Sequence, residues 1–148
     1  MMNTQSFSNT TKSTILATTI GGLAGGVIFG MMMAMMGMLP MLASMIGSES
    51  AFVGFAMHMM ISGVFGALAG AIIHFSGQDQ SLTNVSGALI AGSLIGVLFW
   101  IVGPLLMMPL MMGAPVFTIT SATLLSLMGH IVYGVVMGLT AMVVLQRA

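Results

Sequence analysis

Four side chains carry a formal charge, Lys12, Glu49, Asp79 and Arg147, and they cut the chain into stretches that contain no Asp, Glu, Lys or Arg at all. The stretch between Glu49 and Asp79 already exceeds the roughly 20 apolar residues that cross a bilayer core as a helix. A soluble domain carries about 25% charged residues, whereas this chain carries 3% in 148 residues. So few charges cannot hold a 15.3 kDa globule in water. The sequence therefore predicts an all-α integral membrane protein. A length of 148 residues has room for about four spans, which makes one four-helix bundle and not several domains.

The same scarcity excludes several classes. No cysteine is present, so disulfides, thiolate metal sites and cysteine nucleophiles drop out. With a net charge of zero there is no basic surface for nucleic acid or anionic lipid.

Residues 1–13 form a polar tail, and the first span is expected over about 14–36. The apolar run that follows the tail is too long for a cleaved signal sequence and reads as a retained anchor. Gly22, Gly26 and Gly30 recur every fourth residue on it, a stripe that lets another helix approach closely in lipid. Pro40 stops this segment. The second span is expected over about 51–73, with Ser48 or Ser50 as its N-cap. Its stripe is Gly54, His58, Ser62, Gly66 and Gly70. A polar loop follows over 76–84. The third span is expected over about 85–107, with Ala88, Gly92 and Gly96 in register and Trp100 at the same spacing. Pro104 and Pro109 bound it, and residues 107–120 read as an apolar loop or re-entrant turn. The fourth span, about 121–145, carries Ser126, His130, Gly134 and Gly138 at four-residue spacing.

Lys12 and Arg147 fall on one side of a four-span chain. The positive-inside rule makes that side, and both termini, cytoplasmic in a cell or inner membrane. Each half holds a glycine-striped helix, a Met-Pro-Met connection and a helix with a histidine followed by small residues. That pattern suggests a pseudo-twofold repeat of two helical hairpins about an axis along the membrane normal.

Methionine is the compositional anomaly, with 20 residues. Sixteen of them sort to the outer level, above all in the run MMMAMMGMLPMLASM from Met31 to Met45 and again at Met107 to Met112. His58 and His130 share that level, roughly 10–13 Å below the outer ends of their helices at 1.5 Å per residue. Thioethers suit Cu(I), and imidazole suits copper, zinc and iron. Candidate metal ligands are His58, His130, Met57 and Met128. A second cofactor reading has His58 and His130 ligating haem b, or flanking a quinone, with Tyr133 in the same polar cluster. Against both stands plain packing: methionine fills irregular gaps and makes adaptable docking faces, and an intramembrane histidine can simply bond a carbonyl or Ser62 or Ser126. Packing, with no cofactor, is the favoured expectation here. His74 reads as a solvated interfacial side chain and Trp100 as an interface anchor. No carboxylate pair, Ser-His-Asp set or phosphate loop is visible, which argues against catalysis.

Met57-His58 followed by a glycine-bearing helix, then Trp100, Pro109-x-x-x-Gly113, and the element GHIVYG at Gly129–Gly134 with Gly138 beyond it, resembles an uncharacterised family of small four-span integral membrane proteins. The resemblance implies the four-helix fold and His58 and His130 as shared polar positions, and it implies no activity. The methionine density here exceeds that family's pattern. The expected role is a non-enzymatic accessory or structural subunit of a larger membrane complex, or a homo-oligomer, in contact with membrane lipids. The alternative is a haem- or copper-binding membrane protein.

Overall fold

The computed structural model describes residues 4–147, with side chains from Thr10 onward. It is a helical chain: α1 (Thr4–Met35), the short α2 (Leu39–Ser44), α3 (Ala51–Phe75), a 3-10 turn (Asp79–Thr83), α4 (Val85–Trp100), a π-helical segment (Ile101–Met107), the short α5 (Met108–Met112) and α6 (Ser121–Arg147). Among the described residues, four stretches are long and apolar enough to cross a membrane: Thr10–Met35, Ala51–Phe75, Val85–Met112 and Ser121–Arg147.

Three boundaries differ from the sequence reading. The expected polar tail is helical from Thr4, because residues 4–13 contain neither Gly nor Pro to stop the helix; residues 1–3 lie outside the described residues. The third span does not end near residue 107, between Pro104 and Pro109, but runs to Met112. A wide π turn absorbs Pro104, whose ring and missing N–H an α-helix cannot accommodate, and the helix continues through α5. Phe117 N–H then donates to Leu105 O at 2.7 Å, so the loop after α5 folds back on the π turn. Ser50 occupies the N-cap position of α3 without a side-chain bond to the helix. Instead Ser48 Oγ accepts from Ser50 N–H at 3.2 Å. Left-handed glycines, Gly37 at φ 66 and Gly113 at φ 66, close the turns after α1 and α5.

The long helices form a bundle packed in the order α3–α1–α6–α4, with α1 between α3 and α6 and α4 against α6. In lipid this packing comes from close backbone approach and not from apolar burial, and the small-residue stripes supply it. A Cβ on Gly22 would meet Gly66 Cα at 2.7 Å, one on Gly26 would meet Ser62 Cβ at 2.5 Å, and one on Gly30 would meet His58 Cδ2 at 2.9 Å. Across the second hairpin Gly138 faces Ala88, Gly134 faces Gly92, and His130 O faces Gly96. Both hairpins thus use one register: small residue to glycine, small residue to small residue, glycine to histidine. Gly54 in turn lies against Leu39 O of α2. The internal repeat seen in sequence is therefore a repeat of packing.

A twofold would make the α1–α6 seam equivalent to an α4–α3 seam, and the two differ. At the first, Gly21 receives Met137 O and Gly25 receives Tyr133 O. At the second, α3 and α4 do not pack backbone to backbone. They meet through Phe65 and Phe99, whose rings stand edge to face at 4.5 Å between centroids. The open seam holds two cavities, one at the end bearing α2 and α5, called here the methionine end, and a smaller groove near Ile72 and Leu94.

Candidate functional site

The cavity at the methionine end has a volume of about 360 Å³. Each element reaches it for a local reason. Phe29 and Met33, both buried, come from the last turns of α1, on the row that carries Gly21 and Gly25. The turn after α1 and helix α2 fold back over the bundle end and bring Met38, Met41 and Met45. The π turn widens the helix next to α6 and brings Gly103, Pro104 and Met107, and α5 adds Met108 and Met111. His58 and Ser62 come from α3, and Ser126, His130 and Tyr133 from α6. Met33 forms the floor at 8% exposure, while Met41 at 40% and Met111 at 63% stand at the mouth.

Both histidines are held by backbone carbonyls. His58 Nε2–H donates to Gly26 O on α1 at 3.0 Å. His130 Nδ1–H donates to Ser126 O one turn earlier at 2.8 Å. In a neutral imidazole one such donor nitrogen leaves the other with its lone pair, so His58 keeps Nδ1 and His130 keeps Nε2 as acceptors. Neither atom has a hydrogen-bond partner among the described residues. His130 Nε2 faces the π turn, 4.0 Å from where a Cβ on Gly103 would stand. Anchoring one ring nitrogen on a carbonyl while the other stays open is how metal-binding histidines are oriented.

Phe29 connects the two rings. It lies edge-on to His58 at 5.3 Å and to His130 at 4.9 Å between centroids. Gly129 makes room for the phenyl ring, because a Cβ there would collide with it. Tyr133 hydroxyl donates to Ser62 O at 2.8 Å and ties α6 to α3 below the histidines.

The sequence-predicted site residues divide accordingly. His58, His130 and Tyr133 come together on one cavity. Met57 packs beside the core and Met128 is 60% exposed; neither lines the cavity. Successive helical residues point about 100° apart, so the residue next to a histidine, or two before it, faces elsewhere. The sulfurs come instead from the last turn of α1 (Met33), from α2 and its flanks (Met38, Met41, Met45), and from the π turn and α5 (Met107, Met108). All ten predicted packing positions, including Ser62, are at close helix contacts, but Gly21, Gly25 and Gly129 were missed. The doublets Gly21-Gly22 and Gly25-Gly26 carry the signal that finds them: adjacent glycines present two faces, and α1 has two neighbours.

Haem does not fit these residues. Phe29 occupies the space against both imidazoles, and His58 has committed Nε2 to Gly26 O. A soft cation does fit: thioethers bind without deprotonation, two imidazole nitrogens are open, and no carboxylate lines the cavity.

Two further side chains depart from the sequence reading. Trp100 is buried and its indole N–H donates to Thr123 O at 2.7 Å, so it braces α4 against α6 and does not anchor at the interface. His74 is 6% exposed, not solvated. Its Nδ1 lies 3.0 Å from Asp79 Oδ2 and its Nε2 lies 2.6 Å from Thr11 Oγ1, while Thr14 hydroxyl donates to Asp79 Oδ1 at 2.8 Å. A hydroxyl–imidazole–carboxylate chain is thus present after all, assembled from α1, α3 and the 3-10 turn. Neither cavity of the open seam is lined by it, and its evident work is to join three elements.

No protein-family model matches the chain, and neither a curated protein nor a solved structure is similar to it.

Proposed function

We propose that this chain is a membrane-embedded binding protein that holds a soft cation of the Cu(I) type in the cavity at its methionine end. Its four apolar spans fit an integral membrane protein. The observation that carries the reading is the pair of carbonyl-anchored histidines, each with one open nitrogen, on a cavity that seven methionines help to line. Such a site needs no buried charge, which suits a chain whose spans carry a Lys or Arg only at their ends, Lys12 and Arg147. Both termini are assigned to the cytoplasm, which puts the thioether mouth on the opposite face. The Gly129–Gly134 element with Gly138 is the feature that supports membership of the small four-span family it resembles.

The test is anaerobic loading of detergent-purified protein with Cu(I), exchange against a weak chelator, and metal analysis. Retained copper that is lost from His58→Ala/His130→Ala supports the reading, and a protein that retains none overturns it. A Soret band in the visible spectrum would restore haem.

The open α3–α4 seam favours a second reading, an accessory subunit or self-associating protein whose partner completes that seam. Comigration with a larger membrane assembly on native gels, without bound metal, would establish it.

A further inference from the structure

The packing repeat has a consequence for the cavity. His58 and His130 occupy the same position in their hairpins, each opposite the last glycine of the preceding helix stripe, Gly30 and Gly96. The register that matches Gly30 to Gly96 also matches Met41 to Met107 and Met45 to Met111, and all four line the cavity. Each repeat therefore delivers one histidine from its second helix and a set of sulfurs from the segment joining its two helices.

These two sets do not merge into one. The helices carrying the histidines, α3 and α6, are held apart by α1. Phe29 of α1 packs against both rings, edge-on to each. The open nitrogens are also different atoms: Nδ1 on His58, because Nε2 is bonded to Gly26 O, and Nε2 on His130, because Nδ1 is bonded to Ser126 O. One cation drawing on both imidazoles would have to reach past the phenyl ring that contacts each of them. That ring is seated against Gly129, in a gap that only a missing side chain provides.

We propose that the cavity holds two soft-cation positions, one per repeat: His58 Nδ1 with sulfurs from Met41 and Met45, and His130 Nε2 with sulfurs from Met107 and Met111. The proposal rests on the reading of this cavity as a soft-cation site. Two or three neutral N and S donors are the coordination Cu(I) accepts, so neither position needs a carboxylate. Phe29 is the partition, and the two positions share a single mouth.

The probe is Cu(I), with Ag(I) as a surrogate that does not change oxidation state, titrated anaerobically into the purified full chain and counted by metal analysis. The wild-type chain takes up two ions. His58→Ala and His130→Ala take up one each, and the double variant takes up none. Because an alanine in a packed helix can unfold the bundle, the volume-conserving pairs Met41→Leu/Met45→Leu and Met107→Leu/Met111→Leu are measured alongside. Each pair weakens one of the two ions at least tenfold and leaves the other unchanged. A single ion in the wild type, or one that either histidine variant alone abolishes, overturns the two-position arrangement and keeps the binding function. No ion at all overturns both.

Discussion

His58 and His130 sit on two helices that do not pack against each other, and one phenyl ring joins them: Phe29, 5.3 Å from the first imidazole and 4.9 Å from the second. The ring holds its place because Gly129 has no side chain. Gly129→Ala should therefore act on the cavity through Phe29. Overpacking costs about 1–3 kcal/mol, read as a lower unfolding temperature in detergent. Phe29→Leu in the same background, by shrinking the ring, should recover most of the loss. A Gly129→Ala chain as stable as wild type would show that the contact is not tight.

The two faces of α1 predict a graded response to added methyl groups. Gly21 and Gly25 receive the backbone of α6, Gly22 receives that of α3, and Gly26 receives the Ser62 side chain. Valine at Gly21, Gly22 or Gly25 should separate a pair of helices and lose well over 1 kcal/mol, because backbone cannot move aside as a side chain can. Gly63 is the control: a Cβ there meets only Leu23 Cδ2 at 3.3 Å and Leu23 Cγ at 3.9 Å. Gly63→Ala should be neutral or mildly stabilising, since alanine is the better helix former. Thermal unfolding of the set in one detergent decides this, and equal losses at Gly21 and Gly63 would contradict the seam.

These contacts also show what the sequence could express. Span positions and the stripe glycines follow from spacing, because four-residue periodicity and burial are the same fact on a helix. Likewise the common depth of His58 and His130 follows from counting residues to the helix ends. The sulfur lining did not follow. Met41, Met45, Met107 and Met111 lie in connections where no period says which way a side chain points, and Met57 and Met128 were favoured only by adjacency to a histidine. Trp100 misled for a related reason: an indole near a span end is an interface anchor or a brace depending on whether Thr123 O is within reach. The links from Thr11 to His74 and from Thr14 to Asp79 each cross more than sixty residues, and nothing in local pattern announces such a pairing.

The second of these links makes a separate prediction at the opposite end of the bundle. Asp79 accepts from Thr14 hydroxyl and pairs with His74, so it fixes the first turns of α1 to α3. Hydrogen bonds to charged groups contribute about 1.5–3 kcal/mol. Asp79→Asn should loosen α1 locally before it unfolds the bundle. Lys12 is exposed and, with Arg147, completes the chain's two basic residues, so trypsin reports the change directly. Cleavage after Lys12 should accelerate severalfold in Asp79→Asn, and cation binding at the far end should stay unchanged. An unaltered cleavage rate would mean that the cluster does not restrain α1.

The π turn offers the sharpest test of how the cavity is shaped. Pro104 cannot donate to the carbonyl one turn back, and its ring would clash with it in an α-helix. The wider π turn resolves both problems, and in doing so it places Gly103 toward His130 Nε2 and Met107 on the cavity wall. Pro104→Ala restores the missing N–H and lets an α-helical turn re-form. That change advances every later residue of the segment around the helix axis, Met107 included. The variant should be at least as stable as wild type, since it gains a hydrogen bond. It should nevertheless lose about tenfold in Cu(I) affinity, equivalent to about 1.4 kcal/mol. Circular dichroism with a chelator competition measures both quantities on one sample. Unchanged affinity in a more helical variant would show that the π turn does not shape the site, and lost affinity with lost helix would show instead that Pro104 is needed for folding.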